Sequence, residues 1–125
     1  MTLITTPLAT KVIGCAIDVH RELGAGLFES VYQPCLAYEL RHAGVSFREQ
    51  VIAPVKYRHV VLPRAFKIDF IVEDELILEI KSVERILPVH DAQVLTYMKL
   101  AGIRKALLMN FCVPVLKDGI RSYVR

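Results

Sequence analysis

The sequence has few cysteines, and none is placed for a metal or iron–sulfur site. Cys15, Cys35 and Cys112 are widely separated, and no two of them form a CxxC pair. Because paired cysteines supply the ligands of most structural zinc and iron–sulfur sites, this spacing argues against both. An odd number of cysteines favours free thiols in a reducing compartment.

Long apolar runs are also missing. No uninterrupted apolar stretch approaches the ~20 residues that a membrane-spanning helix needs. The first residues, MTLITTPLATKVIG, lack the basic start and apolar run of an export signal. We therefore expect a cytoplasmic protein that does not contact a membrane.

Several catalytic signatures are absent as well. The sequence contains no GxSxG elbow, no HExxH pair and no phosphate-binding loop that ends in Lys-Ser/Thr. The four histidines show no ligand spacing; they are His20, His42, His59 and His90. These absences argue against HExxH metalloproteases, P-loop nucleotide hydrolases and serine hydrolases of the elbow type.

The composition is that of one compact domain. The chain has 125 residues, of which 54% are hydrophobic, and we find no repeat, linker or low-complexity tract, so we expect a single domain over residues 1–125. The net charge of +3 is compatible with a polyanionic ligand but does not demand one.

Periodicity predicts an α/β (α+β) fold, a mixed sheet flanked by helices. The expected order is α-α-β-β-β-α-β-β. Helices are predicted at about 8–23, 27–41 and 89–101, and strands at 46–57, 66–72, 76–82, 104–111 and 120–124.

The two central strands are predicted to form a hairpin. Alternation separates an apolar row in each strand from a row that contains the charged side chains. The apolar rows are Phe66, Ile68, Phe70, Val72 and Leu76, Leu78, Ile80. They share one side only if Val72 pairs with Leu76 across a three-residue turn in which Asp74 is left-handed. This register places Asp69 opposite Glu79, and Lys67 opposite Lys81.

Two opposed carboxylates repel each other unless a cation lies between them. A divalent metal would relieve the conflict, because Mg²⁺ takes carboxylate oxygens, water and phosphate as ligands. Lys81, on the same face as Glu79, could then orient the attacking water or stabilise charge on phosphate. The residues are equally consistent with a solvated polar face on which Lys67 and Lys81 neutralise the acids.

Three motifs resemble those of a known group of enzymes. Asp69 followed by Glu79-Ile80-Lys81 resembles the D…(D/E)xK signature of the PD-(D/E)XK nuclease superfamily. Residues 26–32, GLFESVY, match the GxxExxY pattern of a small bacterial family in that superfamily, and residues 93–97, QVLTY, resemble the QxxxY motif of RecB-type exonucleases. Flanks at 20–24, 88–90 and 113–120 are also similar to the GxxExxY family, so the resemblance covers about residues 12–124.

The resemblance implies a restriction-endonuclease-like core and a metal-dependent nuclease acting on nucleic acid, DNA in the first place, with Mg²⁺ or Mn²⁺. The implied catalytic residues are Glu29, Asp69, Glu79, Lys81, Gln93 and Tyr97, with Gln93 and Tyr97 lining the cleft. The implied metal ligands are Asp69, Glu79, Glu29 and the main-chain carbonyl of Ile80. Ile68 stands where the superfamily usually has proline.

Taken alone, some of these residues have ordinary structural explanations. Glu29 in the first turn of a helix meets the helix dipole favourably, and Gln93 and Tyr97 share a helix face that could be plain surface. A regulatory module that binds nucleic acid or protein with a nuclease-like fold is the main alternative, and an enzyme for another phosphate-containing substrate is a third. So small a chain has little room to read sequence, so we expect a homodimer or a partner protein to supply specificity.

Overall fold

The computed structural model describes residues 3–125, and the predicted order of helices and strands is confirmed. A short 3₁₀ helix, Leu116–Gly119, precedes the last strand. The helices are α1 (Pro7–Leu23), α2 (Glu29–His42) and α3 (Pro88–Ala101), and the strands are β1 (Phe47–Tyr57), β2 (Val60–Val72), β3 (Leu76–Lys81), β4 (Lys105–Asn110) and β5 (Ile120–Val124).

Local sequence signals account for the helix ends. The Thr6 hydroxyl accepts a hydrogen bond from the Ala9 N–H at 3.2 Å, and Pro7 begins α1 where a missing N–H costs nothing. Gly24 closes α1 with φ 78°, and Gly102 closes α3 with φ 67°. Both glycines adopt a backbone conformation that a residue with a Cβ enters only with strain.

The strands form one mixed sheet in the order β1-β2-β3-β4-β5. Only β3 and β4 are parallel, and α3 makes the crossover between them. The other neighbours are antiparallel. None of the helices within residues 3–125 is long and apolar enough to cross a bilayer.

Helices cover both faces of the sheet and create two apolar cores. Core A lies between the sheet and α1 with α2, and includes Val12, Ala16, Leu36, Leu40, Phe70, Val72, Leu78 and Phe111. Core B lies between the sheet and α3, and includes Ile68, Ile71, Ile77, Val94, Met98 and Leu108. The interpretation of the charged row as a solvated face is wrong for β3, because α3 covers it and Glu79 is only 3% exposed.

The hairpin register is confirmed where the strands pair. Val72 pairs with Leu76 and Phe70 with Leu78 around a three-residue turn. Asp74 is left-handed as expected, with φ 54°, and Glu73 is too. The ladder ends at Phe70, however, so the direct backbone pairing predicted for Asp69 is not formed.

Two further predictions about the hairpin are wrong. Lys67 pairs with Ile52 of β1 and not with Lys81. Phe66 and Ile68 pack with core B, whereas Phe70 packs in core A, so the apolar row changes sides at Asp69. Gln50 lies opposite this point in β1 and has φ 50°, a left-handed backbone that interrupts the alternation of a strand.

Strand β2 also begins six residues earlier than predicted, at Val60 and not at residue 66. The extra residues pair with the second half of β1 through a register shift near Ala53 and Val55. The sequence conceals this extension because Pro63 lies within it, and proline ordinarily marks the end of a strand.

A hydrogen bond and an ion pair connect the start of α3 to β5. Asp91 accepts a hydrogen bond from the Tyr123 hydroxyl and forms an ion pair with Arg121 at 2.9 Å. The Tyr123 hydrogen bond is the main cause that lowers the pKa of Asp91, and Arg121 lowers it further.

Candidate active site

Asp69 and Glu79 lie together at the point where β2 and β3 part. Their side chains are hydrogen-bonded to each other, and Glu79 is also hydrogen-bonded with Tyr97. Asp69 accepts a second hydrogen bond at Oδ2 from the Ile80 N–H, at 2.9 Å. This side-chain bond forms where the backbone pairing of β2 with β3 has ended, and it holds the carboxylate against β3.

Burial makes Glu79 hard to ionise. Desolvation is the largest cause, followed by the hydrogen bond and the charge of Asp69, and together they raise the pKa of Glu79 to about 10. Lys81 and Tyr97 act in the opposite direction. In the metal-free protein Glu79 therefore keeps its proton at neutral pH.

Lys81 extends the site beyond the carboxylate pair. Its ammonium group donates a hydrogen bond to the Gln93 side-chain oxygen at 3.1 Å. Both side chains line an open cleft of about 440 Å³ between α3 and the sheet, with Phe66, Val89, His90, Ala92 and Thr96. Thus Gln93 lies in the cleft, as predicted, and holds the lysine.

Tyr97 has a different place from the one predicted. It is 3% exposed and packs edge-on against Phe66, with ring centroids 5.6 Å apart, so it does not line the open cleft. Burial, with the charges of Glu79 and Asp69, raises the pKa of Tyr97. Its neutral hydroxyl contacts Glu79 from the buried side of the pair.

Glu29 is near the end of β3 but is not grouped with the other two acids. Its Oε1 accepts a hydrogen bond from the Ser82 N–H at 3.1 Å, one residue beyond Lys81. Within residues 3–125 no three or more His, Cys, Asp or Glu side chains are arranged as a metal-binding group. The structure brings together Asp69, Glu79, Lys81 and Gln93, and places Glu29 beside Ser82, outside this group.

The residues of the G-x-x-E-x-x-Y pattern attach the start of α2 to this strand end. The buried Tyr32 hydroxyl donates to the Gly24 carbonyl at 2.6 Å and accepts from the Leu27 N–H at 3.2 Å. The Ser82 hydroxyl donates to the Leu27 carbonyl. The loop before α2 is thus hydrogen-bonded to Ser82, the residue that follows β3.

Sequence reasoning missed three polar residues around the pair. Gln33 of α2 donates to the Asp69 carbonyl at 3.3 Å, and Ser82 donates its N–H to Glu29 and its hydroxyl to the loop before α2. Gln50 has a buried side-chain oxygen without a hydrogen-bond partner among the described residues. No motif marks these positions, since each depends on contacts between distant segments.

The comparison with known families decides the relationship. The family model of the PD-(D/E)XK nuclease superfamily matches residues 6–123. The chain belongs to the PD-(D/E)XK nuclease superfamily. Searches of curated proteins and of solved structures gave no match.

Membership in the PD-(D/E)XK superfamily agrees with the fold and the site. Three helices around a five-stranded mixed sheet are consistent with its restriction-endonuclease-like core. The superfamily suggests a metal-dependent nuclease with a nucleic-acid substrate, and its nucleases generally use divalent metals.

Proposed function

We propose that this protein is a nuclease that hydrolyses phosphodiester bonds in nucleic acid, with DNA as the substrate and Mg²⁺ or Mn²⁺ as the cofactor. The observation that supports this most is the pair of half-buried Asp69 and buried Glu79, which lies beside Lys81 at an open cleft. We also infer membership in the GxxExxY family, from residues 26–32, and a RecB-like role for the segment at 93–97.

The acids fit a divalent cation. Mg²⁺ is usually held by one or two carboxylates, with water and substrate phosphate as the remaining ligands. Asp69 and Glu79 would hold the cation, together with the Ile80 carbonyl. Glu29, beside Ser82, would be the remaining protein ligand. When bound, the cation supplies Lewis-acid chemistry, lowering the pKa of water and neutralising charge on phosphate.

The remaining side chains prepare the site for attack by water. Lys81 places a positive charge beside the pair, where it orients the nucleophile and stabilises the negative charge that develops on phosphate. Gln93 restrains the ammonium group through the 3.1 Å hydrogen bond. Tyr97 keeps the Glu79 carboxyl in position through its hydroxyl. Since water is the nucleophile, no covalent intermediate forms with the enzyme.

Specificity is proposed to come from outside this small core. A second copy of the chain, or a partner protein, would supply the elements that recognise a target. We infer that the protein works in the cytoplasm, where free Cys15, Cys35 and Cys112 remain reduced.

Cleavage assays with matched variants test the proposal. Wild-type protein, Asp69→Asn, Lys81→Met and Glu75→Gln are incubated with DNA duplex, single-stranded DNA and RNA in Mg²⁺, Mn²⁺ or EDTA. Glu75 is an exposed acid of the hairpin turn and serves as the control. We expect wild type and Glu75→Gln to cleave DNA only with a cation, and the other two to be slower by at least roughly 100-fold.

Two results would overturn the nuclease proposal. One is wild-type protein that leaves every nucleic acid intact with both cations. The other is Asp69→Asn that cleaves as fast as wild type. Binding of nucleic acid that is never followed by cleavage, even with Mg²⁺ or Mn²⁺ present, would instead support the catalytically silent module.

A further inference from the structure

The ends of β1 and β2 form a two-stranded ribbon that extends past the rest of the sheet. We call residues 51–68 the arm. Strand β3 pairs with β2 only from Phe70 onwards, so within residues 3–125 no strand pairs with the arm on that side. Residues 54–65 are exposed except for the half-buried Val55, and the two-residue turn at 58–59 closes the tip. The outer part of the arm, residues 54–65, therefore projects from the core into solvent, while its base packs in core B.

The arm accounts for the net positive charge of the protein. It has four Lys or Arg residues and no acid: Lys56, Arg58, Arg64 and Lys67. The full chain has 16 basic and 13 acidic residues, so the remainder, with 12 basic and 13 acidic residues, has a formal charge of −1. The arm thus has a formal charge of +4, and without it the chain would be slightly acidic.

The basic residues of the arm are not neutralised by acidic partners, whereas three arginines elsewhere form ion pairs. Arg41 pairs with Glu49, Arg48 with Asp74, and Arg121 with an acid of α3. Within residues 3–125, no Lys or Arg of the arm forms an ion pair. Four unpaired like charges on one ribbon raise the local potential and attract a polyanion.

The base of the arm meets the candidate active site. Phe66 packs on Tyr97 and lines the cleft together with Lys81. Asp69 follows the arm directly in the sequence. A polyanion that lies along the arm would therefore pass the carboxylate pair.

The shape of the arm indicates which polyanion fits. From Val60 to Phe66, β2 is about 20 Å long at roughly 3.3 Å per residue. The major groove of B-form DNA, about 12 Å wide, admits a two-stranded β-ribbon. The major groove of an A-form RNA duplex is too narrow for side chains to enter. The geometry favours a DNA duplex.

We propose that the arm is a DNA-binding element that enters the major groove of a duplex and presents its four cations to the flanking phosphates. This inference rests on the proposed nuclease function and narrows its substrate to double-stranded DNA. The Arg58 guanidinium lies over the Tyr57 ring, 5.4 Å from its centroid, which holds a cation at the tip. The exposed apolar side chains of the tip, Tyr57, Val60 and Leu62, contact sugars and thymine methyl groups.

Binding without cleavage tests the arm by itself. Fluorescence anisotropy in EDTA measures the affinity for a labelled DNA duplex over a series of salt concentrations. The arm variant is Arg58→Gln/Arg64→Gln, and the control with the same loss of charge is Arg21→Gln/Lys117→Gln, in α1 and the 3₁₀ helix. Each phosphate contact contributes about 0.9 to the slope of log K against log salt, so the arm variant should lower the slope by about 1.8. The control should keep the wild-type slope.

Competitors and oligomeric state complete the test. Single-stranded DNA and an RNA duplex of the same sequence should bind at least about tenfold more weakly than the DNA duplex. The inference is overturned if the two double variants lose the same affinity, or if the RNA duplex binds as well as DNA. It is also overturned if sedimentation shows that the arm variant dissociates a dimer while DNA affinity is unchanged, because the arm would then join two copies of the chain.

The arm and the nuclease proposal can fail separately. If wild type binds duplex DNA through the arm but never cleaves it, the arm inference stands and the catalytic proposal fails. If wild type cleaves DNA and the arm variant cleaves it with the same KM, the catalytic proposal stands and the arm inference fails.

Discussion

Replacing Glu79 by glutamine should stabilise the metal-free protein while abolishing its response to divalent cations. Glu79 is 3% exposed, and burial beside Asp69 raises its pKa to about 10. Because the folded-state pKa is raised, the carboxyl group favours folding at acidic pH. As the pH rises above the unfolded-state pKa of 4.5, it makes folding progressively less favourable. Glutamine has the shape of the protonated acid and does not titrate.

The size of the gain follows from the distance between the pH and the unfolded-state pKa. Each pH unit above the unfolded-state pKa contributes about 1.4 kcal/mol. The 2.5 pH units between 4.5 and 7 therefore give Glu79→Gln a gain of about 3 kcal/mol in the free energy of unfolding. For a chain of this length that is a rise in Tm of roughly 10 °C. A functional site held at the expense of stability is common in enzymes.

Thermal unfolding followed by circular dichroism measures this effect. In EDTA, the advantage of Glu79→Gln over wild type should grow from pH 5 to pH 9, whereas the control Glu75→Gln should stay within about 0.5 kcal/mol of wild type. Added Mn²⁺ at 100 times its Kd should stabilise wild type by about 2.7 kcal/mol and leave Glu79→Gln unchanged. A variant less stable than wild type at pH 7, or a gain independent of pH, would refute the reasoning.

Three further predictions concern other parts of the structure. Tyr97→Phe removes the hydroxyl behind the carboxylate pair, and we expect its Kd for Mn²⁺ in calorimetry to rise roughly tenfold; an unchanged Kd would contradict its supporting role. Gly119→Ala would place a Cβ 2.2 Å from a carbonyl oxygen, so urea unfolding should show a loss of about 2 kcal/mol. The open position of Gly14 makes Gly14→Ala a control that should gain up to about 1 kcal/mol. Asp91→Asn removes the negative charge that strengthens the Tyr123 hydrogen bond and pairs with Arg121, so it should cost about 1 kcal/mol at pH 7. The cost should shrink as the pH falls below about 4, the unfolded-state value, and through the lowered folded-state pKa of Asp91. A cost that is the same at pH 7 and at the lowest pH reached would contradict this explanation.

The sequence predicts the centre of the fold well because the pattern there is strong. Continuous apolar alternation in β2 and β3 leaves one register, and Val72 pairs with Leu76 as expected. That register brings Asp69 and Glu79 together even though the ladder stops one residue short of them.

The sequence fails where a local irregularity or a distant contact decides the structure. Apolar alternation assigns Phe66, Ile68 and Phe70 to one face of the sheet. In the structure the strand switches faces at Asp69, opposite Gln50, and nothing in the alternation marks that switch. The placement of Glu29 on the Ser82 N–H joins segments 53 residues apart, and no spacing rule predicts it.

The central claim is that Glu79 gives up its proton when it holds a divalent cation together with Asp69. Calorimetric titration of Mn²⁺ into wild type, in two pH 7.5 buffers of different ionisation enthalpy, measures affinity and proton release together. We predict one bound ion and about one released proton per chain, and no binding by Glu79→Gln. Binding that persists in the variant, or binding without release of a proton, would contradict this account of the site.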